Sequence, residues 1–378
     1  MPVVAPKTNT NISDPQLLHA QIITNSEDII IFTTRYRRTF QSAMALLYNL
    51  LPNDRWQNLN IQESHSLSFC FSDCACPYAE YLKKVLSKSS SKELMENQTI
   101  SSLVSWLGTS LQTQEISSLN PLDVRDALLT YLCHDQEFPC QNLKKNTNRK
   151  SDYVSSSVQR DDTSNDVINI DLDESPIQPN IIATTANDDD DDSSVEETTP
   201  SDSIDNCIEQ RHVDTLLAYT NYYELKESNN KMKITERLLR GYGLIRSIVS
   251  FMLKMISGDK TKLVLYSSHD HTLKNLLSVL GMIDLSSYIP YAARLSFEVY
   301  RSDKDNQHYF RLIYNGKDLT SSISFCLGGK SLRVKRGRGG IAFLCPIENI
   351  IRFVHDDYFL VINATNYKDA CASKESYS

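Results

Sequence analysis

The sequence predicts an α/β protein in which a core sheet is flanked by helices and a mainly helical cap is added. A β-rich run at 28–34 is followed by apolar residues at helical spacing, at Phe40, Ala43, Leu47 and Leu50. A second apolar run, at 263–266, is followed by an amphipathic stretch at 272–280. Strands that alternate with helices in this way are typical of a sheet covered by helices.

The predicted elements form a discontinuous core and a cap. Residues 1–52 supply a strand and a helix, and residues 259–371 return to the core with strands at 263–266, 295–300 and 309–314. Residues 53–258 form the cap, and 372–378 form a tail. Helical periodicity in the cap predicts helices at 78–94, 121–132, 213–223 and 234–256.

Charge is distributed unevenly along the chain. The 378 residues include 39 basic and 47 acidic side chains, for a net charge of −8. Residues 151–206 hold 16 acidic residues and one arginine, so the rest is net basic and suits an anionic substrate. Few large apolar residues occur in this stretch, and 143–206 is predicted to be a disordered acidic insertion. An acidic docking segment or a calcium-binding run is the alternative.

Residue types that handle phosphate stand at both predicted strand-to-helix junctions. Arg38 lies at the first junction, and His269 and Asp270 lie at the second. A helix N-terminus attracts anions, and a guanidinium presents a planar fork that matches phosphate oxygens. A histidine and a carboxylate placed there can exchange a proton with the bound group. The two junctions therefore predict two halves of one phosphate site.

Both junctions resemble signatures of the histidine acid phosphatase family, branch 2 of the histidine phosphatase superfamily. The matching residues are Arg38-Thr39-x-x-Ser42-Ala43 and Tyr266-Ser267-x-His269-Asp270. The resemblance implies a phosphoglycerate-mutase-like core and a phosphomonoester hydrolase that needs no cofactor and no metal. It implies that Arg38 and His269 bind the phosphoryl oxygens, and that Asp270 protonates the leaving alcohol.

Further blocks resemble one branch of this family, and they imply a phosphorylated sugar of the proteoglycan linkage region as the substrate. They include Phe69–Pro77, Asn120–Asp123, Phe138–Cys140, Ala292–Leu295, Leu312–Gly316, Cys345–Asn349 and Thr365–Cys371. A nucleic-acid partner is not expected. Open alternatives are a broad-specificity acid phosphatase, an inositol-phosphate phosphatase and, outside enzymes, an inactive phosphosugar-binding pseudophosphatase.

The first signature of the family, Arg-His-Gly-x-Arg-x-Pro, does not occur in this sequence, although it carries the nucleophilic histidine. Of the 8 histidines, His212 in Arg211-His212-Val213 is the nearest match, but it precedes an amphipathic helix. His19 is interpreted as a helix-surface residue. We favour an incomplete gene model over a true pseudoenzyme, with an upstream membrane anchor and signature strand. The sequence as it stands is expected to be an inactive fragment with an open strand edge.

Cysteines and glycosylation sequons indicate the secretory pathway, and the resemblance implies the Golgi lumen. The chain has 9 cysteines, and Asn11, Asn97 and Asn363 head Asn-x-Ser/Thr sequons. The spacing of Cys70, Cys74 and Cys76 does not fit a zinc site, so disulfides are predicted, with open connectivity. The odd cysteine is either free or pairs elsewhere.

Other charged residues near the motifs are expected to lie at the rim of the site or on the surface. His271 is assigned to the rim of the site, and His355-Asp356 to a solvated helix end. Arg35 and Arg37 are placed on an extended approach to Arg38, where alternation sends Arg37 to the opposite side. The basic residues of a Gly-rich loop either contact an anionic sugar chain or are simply solvated; they are Arg333, Lys335, Arg336 and Arg338.

Overall fold

A computed structural model of the chain describes residues 16–17, 26–51, 59–70, 75–111, 120–140, 207–335 and 340–372. The chain divides into two units, one made of Met1–Phe138 with Ile208–Ser378 and the other of Pro139–Cys207. The predicted acidic insertion at 143–206 lies outside the described residues, as do His19 and Asn11. In the second unit, the described Cys140 and Cys207 form a disulfide.

The described residues confirm an α/β architecture. The strands are β1 Gln16–Leu17, β2 Ile29–Thr34, β3 Asn60–Ser64, β4 Leu263–Ser267, β5 Leu295–Arg301, β6 His308–Tyr314, β7 Lys317–Asp318, β8 Leu332–Lys335 and β9 Ile341–Pro346. The α-helices are α1 Arg37–Leu50, α2 Pro77–Met95, α3 Gln98–Ser110, α4 Pro121–Cys133, α5 Gln210–Ser228, α6 Lys231–Ile256, α7 Asp270–Val279, α8 Ile347–Arg352 and α9 Tyr367–Cys371.

A parallel sheet with the order β3-β2-β4 underlies the two predicted junctions. Alternate residues of β2 face opposite sides of the sheet. Ile29 and Ile31 are fully buried in one cluster with Leu47 of α1. On the other side, the Phe32 ring stacks on Tyr266 of β4 and contacts Phe251 of α6. Helices therefore cover both faces of the sheet.

The buried face of α1 is shifted by one residue from the predicted one. Ala43 and Leu47 are buried as their spacing indicates, but Phe40 is 43% exposed. Thr39 takes the buried position one residue earlier, where its hydroxyl donates to the Tyr36 carbonyl oxygen. A polar side chain can be buried at this position because a nearby carbonyl oxygen accepts its hydrogen bond.

The remaining strands form a second, antiparallel sheet with the order β1-β5-β6-β9-β8, and β7 pairs with β6. The sequence does not predict this separation, because it groups 295–300 and 309–314 with 263–266. Arg333 and Lys335 lie on β8, which pairs with β9, so their placement in a loop is wrong. Within the described residues, β4 pairs with β2 alone, which leaves its other edge open.

The four helices predicted for the cap are present, with boundaries that differ by a few residues. Helix α3 was not predicted, although Asn97 caps it by accepting a hydrogen bond from the Ile100 amide. The helices α3, α4 and α5 share an apolar cluster that includes Val104, Leu128 and Leu216. None of the helices in the described ranges has the length and apolar character that a membrane span requires.

The prediction of disulfides is confirmed for most cysteines. Cys76, at the start of α2, is bonded to Cys371 of α9, and Cys326 is bonded to Cys345. Cys70 is also disulfide-bonded. Among the described cysteines, Cys133 is free and exposed.

Candidate active site

The parallel register of β2 and β4 brings the two junctions to one edge of the sheet. Thr33 lies opposite Ser267, so the residues that follow each strand emerge side by side. Helix α1 then begins at Arg37 and helix α7 at Asp270. This edge, at the carboxyl ends of parallel strands, is where α/β proteins bind ligands, and the positive ends of two helix dipoles meet there.

His269 and Arg38 meet at this edge, although 231 positions separate them. Arg38 Nη2 lies 3.5 Å from His269 Nδ1, and Thr34 Oγ1 lies 2.9 Å from His269 Nε2. The Arg38 guanidinium stands 4.5 Å from the centre of the Tyr36 ring. The same ring meets the His269 imidazole edge-on at 5.2 Å. Tyr36 thus supports both phosphate-binding candidates.

The hydrogen-bond partners assign one tautomer to the His269 ring. Arg38 can only donate, so Nδ1 is the acceptor and Nε2 carries the proton. Nε2–H donates to the Thr34 hydroxyl, which donates in turn to Thr39 Oγ1, 2.9 Å away. Thr39 completes the chain by donating to the Tyr36 carbonyl oxygen at 2.7 Å. Each hydroxyl in this relay therefore accepts one hydrogen bond and donates one.

The electrostatics of the site agree with a neutral His269 in the absence of a ligand. Burial and the adjacent Arg38 cation both lower the pKa of His269, and the Asp270 carboxylate offsets them only in part. A bound phosphate adds negative charge beside the ring and therefore favours its protonated form. His269 can thus change from an acceptor of Arg38 to a donor toward phosphate oxygens.

Asp270 is the first residue of α7, and its carboxyl group is 47% exposed. Burial would raise its pKa, but His271 and Lys274 outweigh burial and hold it below its usual value. Lys274 Nζ is 3.3 Å and His271 Nδ1 is 3.9 Å from Asp270 Oδ2. The carboxyl group is therefore accessible to a leaving group, and in the free protein it favours the carboxylate form. A phosphate bound beside it would favour its protonated form, in which it can act as an acid.

The other basic residues at the edge take positions that the sequence predicts only in part. The His271 side chain is 84% exposed, as a rim residue is. Arg37 and Arg38 belong to the first turn of α1, so the extended approach and its alternation are wrong. Arg35 precedes the helix and lies 5.6 Å from the centre of the Tyr36 ring. Arg38 is therefore not the only basic side chain near this edge of the sheet in the described residues.

Two histidines outside this edge have local roles. His212 lies in the first turn of α5, where its Nδ1 accepts from the Glu209 amide at 3.0 Å and its ring packs on Trp106. His212 therefore caps the start of α5, and the sequence also did not favour it as the nucleophile. His355 lies exposed in the π-helical turn Phe353–Asp357. In the part of the chain that the structure describes, no cluster of three or more His, Cys, Asp or Glu side chains is arranged to hold a metal ion.

Sequence reasoning missed Thr34, Tyr36 and Thr39, which orient the ring and the guanidinium. Thr34 and Tyr36 lie within four residues of Arg38 in the sequence, and this proximity is the signal that could have identified them. Their partners lie on a distant segment, however, and only the register of β2 and β4 brings them together.

The fold and the site define a member of the histidine phosphatases. Residues 15–315 match the family model of the histidine phosphatase superfamily (branch 2), and the chain belongs to this family. It is 28% identical over 345 residues to 2-phosphoxylose phosphatase 1 of Xenopus tropicalis, and the match covers 90% of this chain and 54% of that protein. The Homo sapiens protein of the same name is 25% identical over 355 residues, with coverages of 92% and 58%.

Other similarities are shorter or weaker. Lysophosphatidic acid phosphatase type 6 of Pongo abelii is 34% identical over 112 residues, which cover 29% of this chain and 25% of that one. A phytase structure from Klebsiella sp. ASR1 aligns with a TM-score of 0.33 and 10% identity, covering 87% of this chain and 76% of that chain. At that score it adds nothing to the family assignment. The chain spans just over half the length of the 2-phosphoxylose phosphatases that it matches.

Proposed function

We propose that this chain contributes the phosphate-binding and proton-donating side of a phosphomonoester hydrolase of histidine acid phosphatase type. Its substrate is 2-phosphoxylose in the glycosaminoglycan–protein linkage region. The observation that carries the proposal is the meeting of Arg38 and His269 at the ends of two adjacent parallel strands, with Asp270 next in sequence. Two relatives that match 90% and 92% of this chain are both named 2-phosphoxylose phosphatase 1, which supports the choice of substrate.

The reaction divides between these residues and a nucleophile. An imidazole nitrogen forms a bond to phosphorus while the bond from phosphorus to the sugar oxygen breaks. Arg38 and protonated His269 stabilise the negative charge on the phosphoryl oxygens. Asp270 gives its proton to the departing sugar oxygen, and water then hydrolyses the phosphohistidine. The nucleophilic imidazole belongs to an Arg-His-Gly segment, which this sequence does not contain.

The second candidate is a phosphosugar-binding protein without turnover. It uses the same site, because Arg38 and His269 without a nucleophile would retain a phosphate and leave its ester intact. The two candidates share the site and differ in catalysis alone. They are distinguished by turnover and not by affinity.

Phosphate binding tests both candidates on the chain as it stands. Titration calorimetry with inorganic phosphate is expected to show binding that Arg38→Ala weakens by about tenfold or more, since a hydrogen bond to a charged group contributes about 1.5–3 kcal/mol. Arg38→Lys restores part of the loss, because the ammonium keeps the charge and loses the fork. The control is Arg211→Ala, which removes an exposed arginine paired with Glu209 on α5. Equal affinities for wild type and Arg38→Ala would contradict the proposed site.

Turnover separates the two candidates. The chain alone is expected to hydrolyse 2-phosphoxylose negligibly, and a longer chain with an Arg-His-Gly segment to hydrolyse it faster than other phosphomonoesters. In that longer chain, Asp270→Asn slows release of a sugar more than release of an activated aryl alcohol, which needs less protonation. Ordinary turnover by the present chain would refute the assignment of the nucleophile. No turnover by the longer chain would favour the binding protein.

We further infer that the protein is a glycoprotein of the secretory pathway and resides in the Golgi lumen. Disulfides among the described residues support an oxidising compartment. Asn97 and Asn363, which head two sequons, are both exposed. A mobility shift on glycosidase treatment that is smaller in Asn97→Gln/Asn363→Gln, which keeps the Asn11 sequon, is the expected result. A protein found wholly in the cytosol would contradict the inference.

A further inference from the structure

A chain of alternating charges runs from the cap to Asp270. Arg125 of α4 donates from Nη1 to Glu224 Oε2 of α5 at 2.8 Å. The other oxygen of Glu224, Oε1, accepts from Lys274 Nζ of α7 at 2.9 Å. Lys274 Nζ also lies 3.3 Å from Asp270 Oδ2, one helical turn earlier. Asp126, at 3.3 Å from Arg125 Nε, ends the series on the other side.

The middle of this chain is buried, unlike an ordinary surface ion pair. The side chains of Arg125, Glu224 and Lys274 are 7%, 9% and 8% exposed. Burial would raise the pKa of Glu224, but Lys274 and Arg125 outweigh it and lower that pKa. Glu224 is therefore an anion that keeps the Lys274 ammonium in place, because a buried charge without a partner is strongly unfavourable.

The proposed phosphatase reaction gives this arrangement a role, and the inference rests on that function. An acid that protonates a leaving oxygen must present one particular oxygen to it. We propose that Lys274 is the positioning residue for Asp270: it holds Oδ2, so that Oδ1 delivers the proton to the sugar oxygen. Glu224 and Arg125 hold Lys274 in turn.

Lys274 is the cation next to Asp270 that is itself fixed by a buried carboxylate. The other groups that act on Asp270 are His269 and His271 beside it, and Asp126 from α4. The His271 side chain is 84% exposed and the Asp126 side chain 61%, so water screens both more strongly. Removing Lys274 therefore changes the surroundings of the carboxyl group most directly.

A direct titration of Asp270 tests the proposal without turnover or phosphate. The chain is labelled with carbon-13 at the aspartate carboxyl carbons, and the Asp270 signal is identified by its absence in Asp270→Asn. In Lys274→Met the midpoint of this titration is expected to rise by about one pH unit, since a close opposite charge lowers a carboxyl pKa by about that much or more. Lys260→Met is the matched control, because it removes an exposed lysine paired with Glu27.

Each outcome either supports or rejects the positioning role of Lys274. A folded Lys274→Met whose Asp270 midpoint equals that of wild type overturns the proposal. If circular dichroism shows Lys274→Met unfolded, Lys274→Gln replaces it, since its amide still donates without charge, and the same rise is expected. If neither variant folds, Lys274 serves the fold and the positioning role is rejected. A raised midpoint in a chain that does not bind phosphate would keep the pairing and reject the phosphatase function instead.

Discussion

The orientation of His269 depends on one hydroxyl group behind the ring. Thr34 is 2% exposed, and its hydroxyl oxygen accepts the hydrogen bond from His269 Nε2–H. The ring proton lies on Nε2 because Arg38 donates to Nδ1. The Thr34–Thr39 relay ends on a backbone carbonyl, which ties the tautomer to the path of the chain. The tautomer of the ring is thus determined by Arg38 in front of it and by two threonines behind it.

Thr34→Val is expected to free the His269 ring. The valine keeps the shape and removes the acceptor, so the part-buried Nε2–H loses its partner at a cost of about 1 kcal/mol. Nitrogen-15 NMR of the imidazole should show a mixture of tautomers in place of one. Thr215→Val is the control, since the Thr215 hydroxyl donates to Arg211 on the exposed side of α5. An unchanged single tautomer in Thr34→Val would mean that Arg38 alone suffices.

Anion binding at the site should depend on pH through His269. Its pKa in the free protein is lowered by burial and by Arg38, and a bound dianion raises it. Binding therefore takes up a proton, and affinity increases as pH falls through the range near and below the ordinary value of about 6.5. Sulfate is the probe, because it stays a dianion throughout, and calorimetry between about pH 5 and 7 is the measurement.

His269→Gln should strongly weaken this pH dependence, whereas His271→Gln should retain it. The Asp270 carboxyl contributes less, because its pKa in the free protein lies below its usual value and thus below this range. Equal sulfate affinities at both ends of the range in the wild type would show that His269 does not change its protonation on binding.

At the scale of elements, the packing of α6 on α7 depends on a glycine. A Cβ on Gly241 would lie 2.6 Å from Val279 Cγ2 and 3.2 Å from the Asn275 carbonyl oxygen. Gly241 is buried in the middle of α6, and α7 begins at the candidate site. The close approach of the two helices thus supports the element that carries Asp270.

Gly241→Ala should destabilise the protein by about 1–3 kcal/mol through overpacking, although alanine is the better helix former by about 1 kcal/mol. Urea unfolding measures the change. In Gly241→Ala/Val279→Ala the loss should be smaller than the sum of the two single losses, because the overlapping methyl group is gone. A Gly241→Ala protein more stable than wild type would show that α7 shifts without cost.

Elements with their own periodicity could be predicted from sequence, and elements defined by distant partners could not. The α6 and β4 predictions at 234–256 and 263–266 agree closely with Lys231–Ile256 and Leu263–Ser267. The split into two sheets was not predicted, because it depends on which strands pair. In the site, Arg38, His269 and Asp270 are marked by motifs. The contact of Lys274 with Glu224 spans 50 positions and has no local signal.

For the whole molecule, the acidic segment 151–206 is expected to be dispensable for binding. Deleting it should leave phosphate affinity unchanged at about 0.15 M salt, where charges beyond roughly 8 Å are screened. At low salt the affinity should rise, because 16 acidic residues are removed together with one arginine. Cys140 and Cys207 stay outside the deletion, so their disulfide can still form. A loss of affinity at 0.15 M salt would mean that the segment contributes to the site.

The disulfide between Cys76 and Cys371 has a consequence for the order in which the chain matures. These cysteines are 295 positions apart, so Cys76 leaves the ribosome long before its partner is made. Cys133, Cys140 and Cys207 are all synthesised in the interval and can capture its thiol. Closing the correct bond then requires exchange of such intermediates, which takes seconds to hours. We expect newly made chains to pass through forms with non-native disulfides within the chain. They should reach the native form only after α9, which carries Cys371, has packed on the rest of the protein.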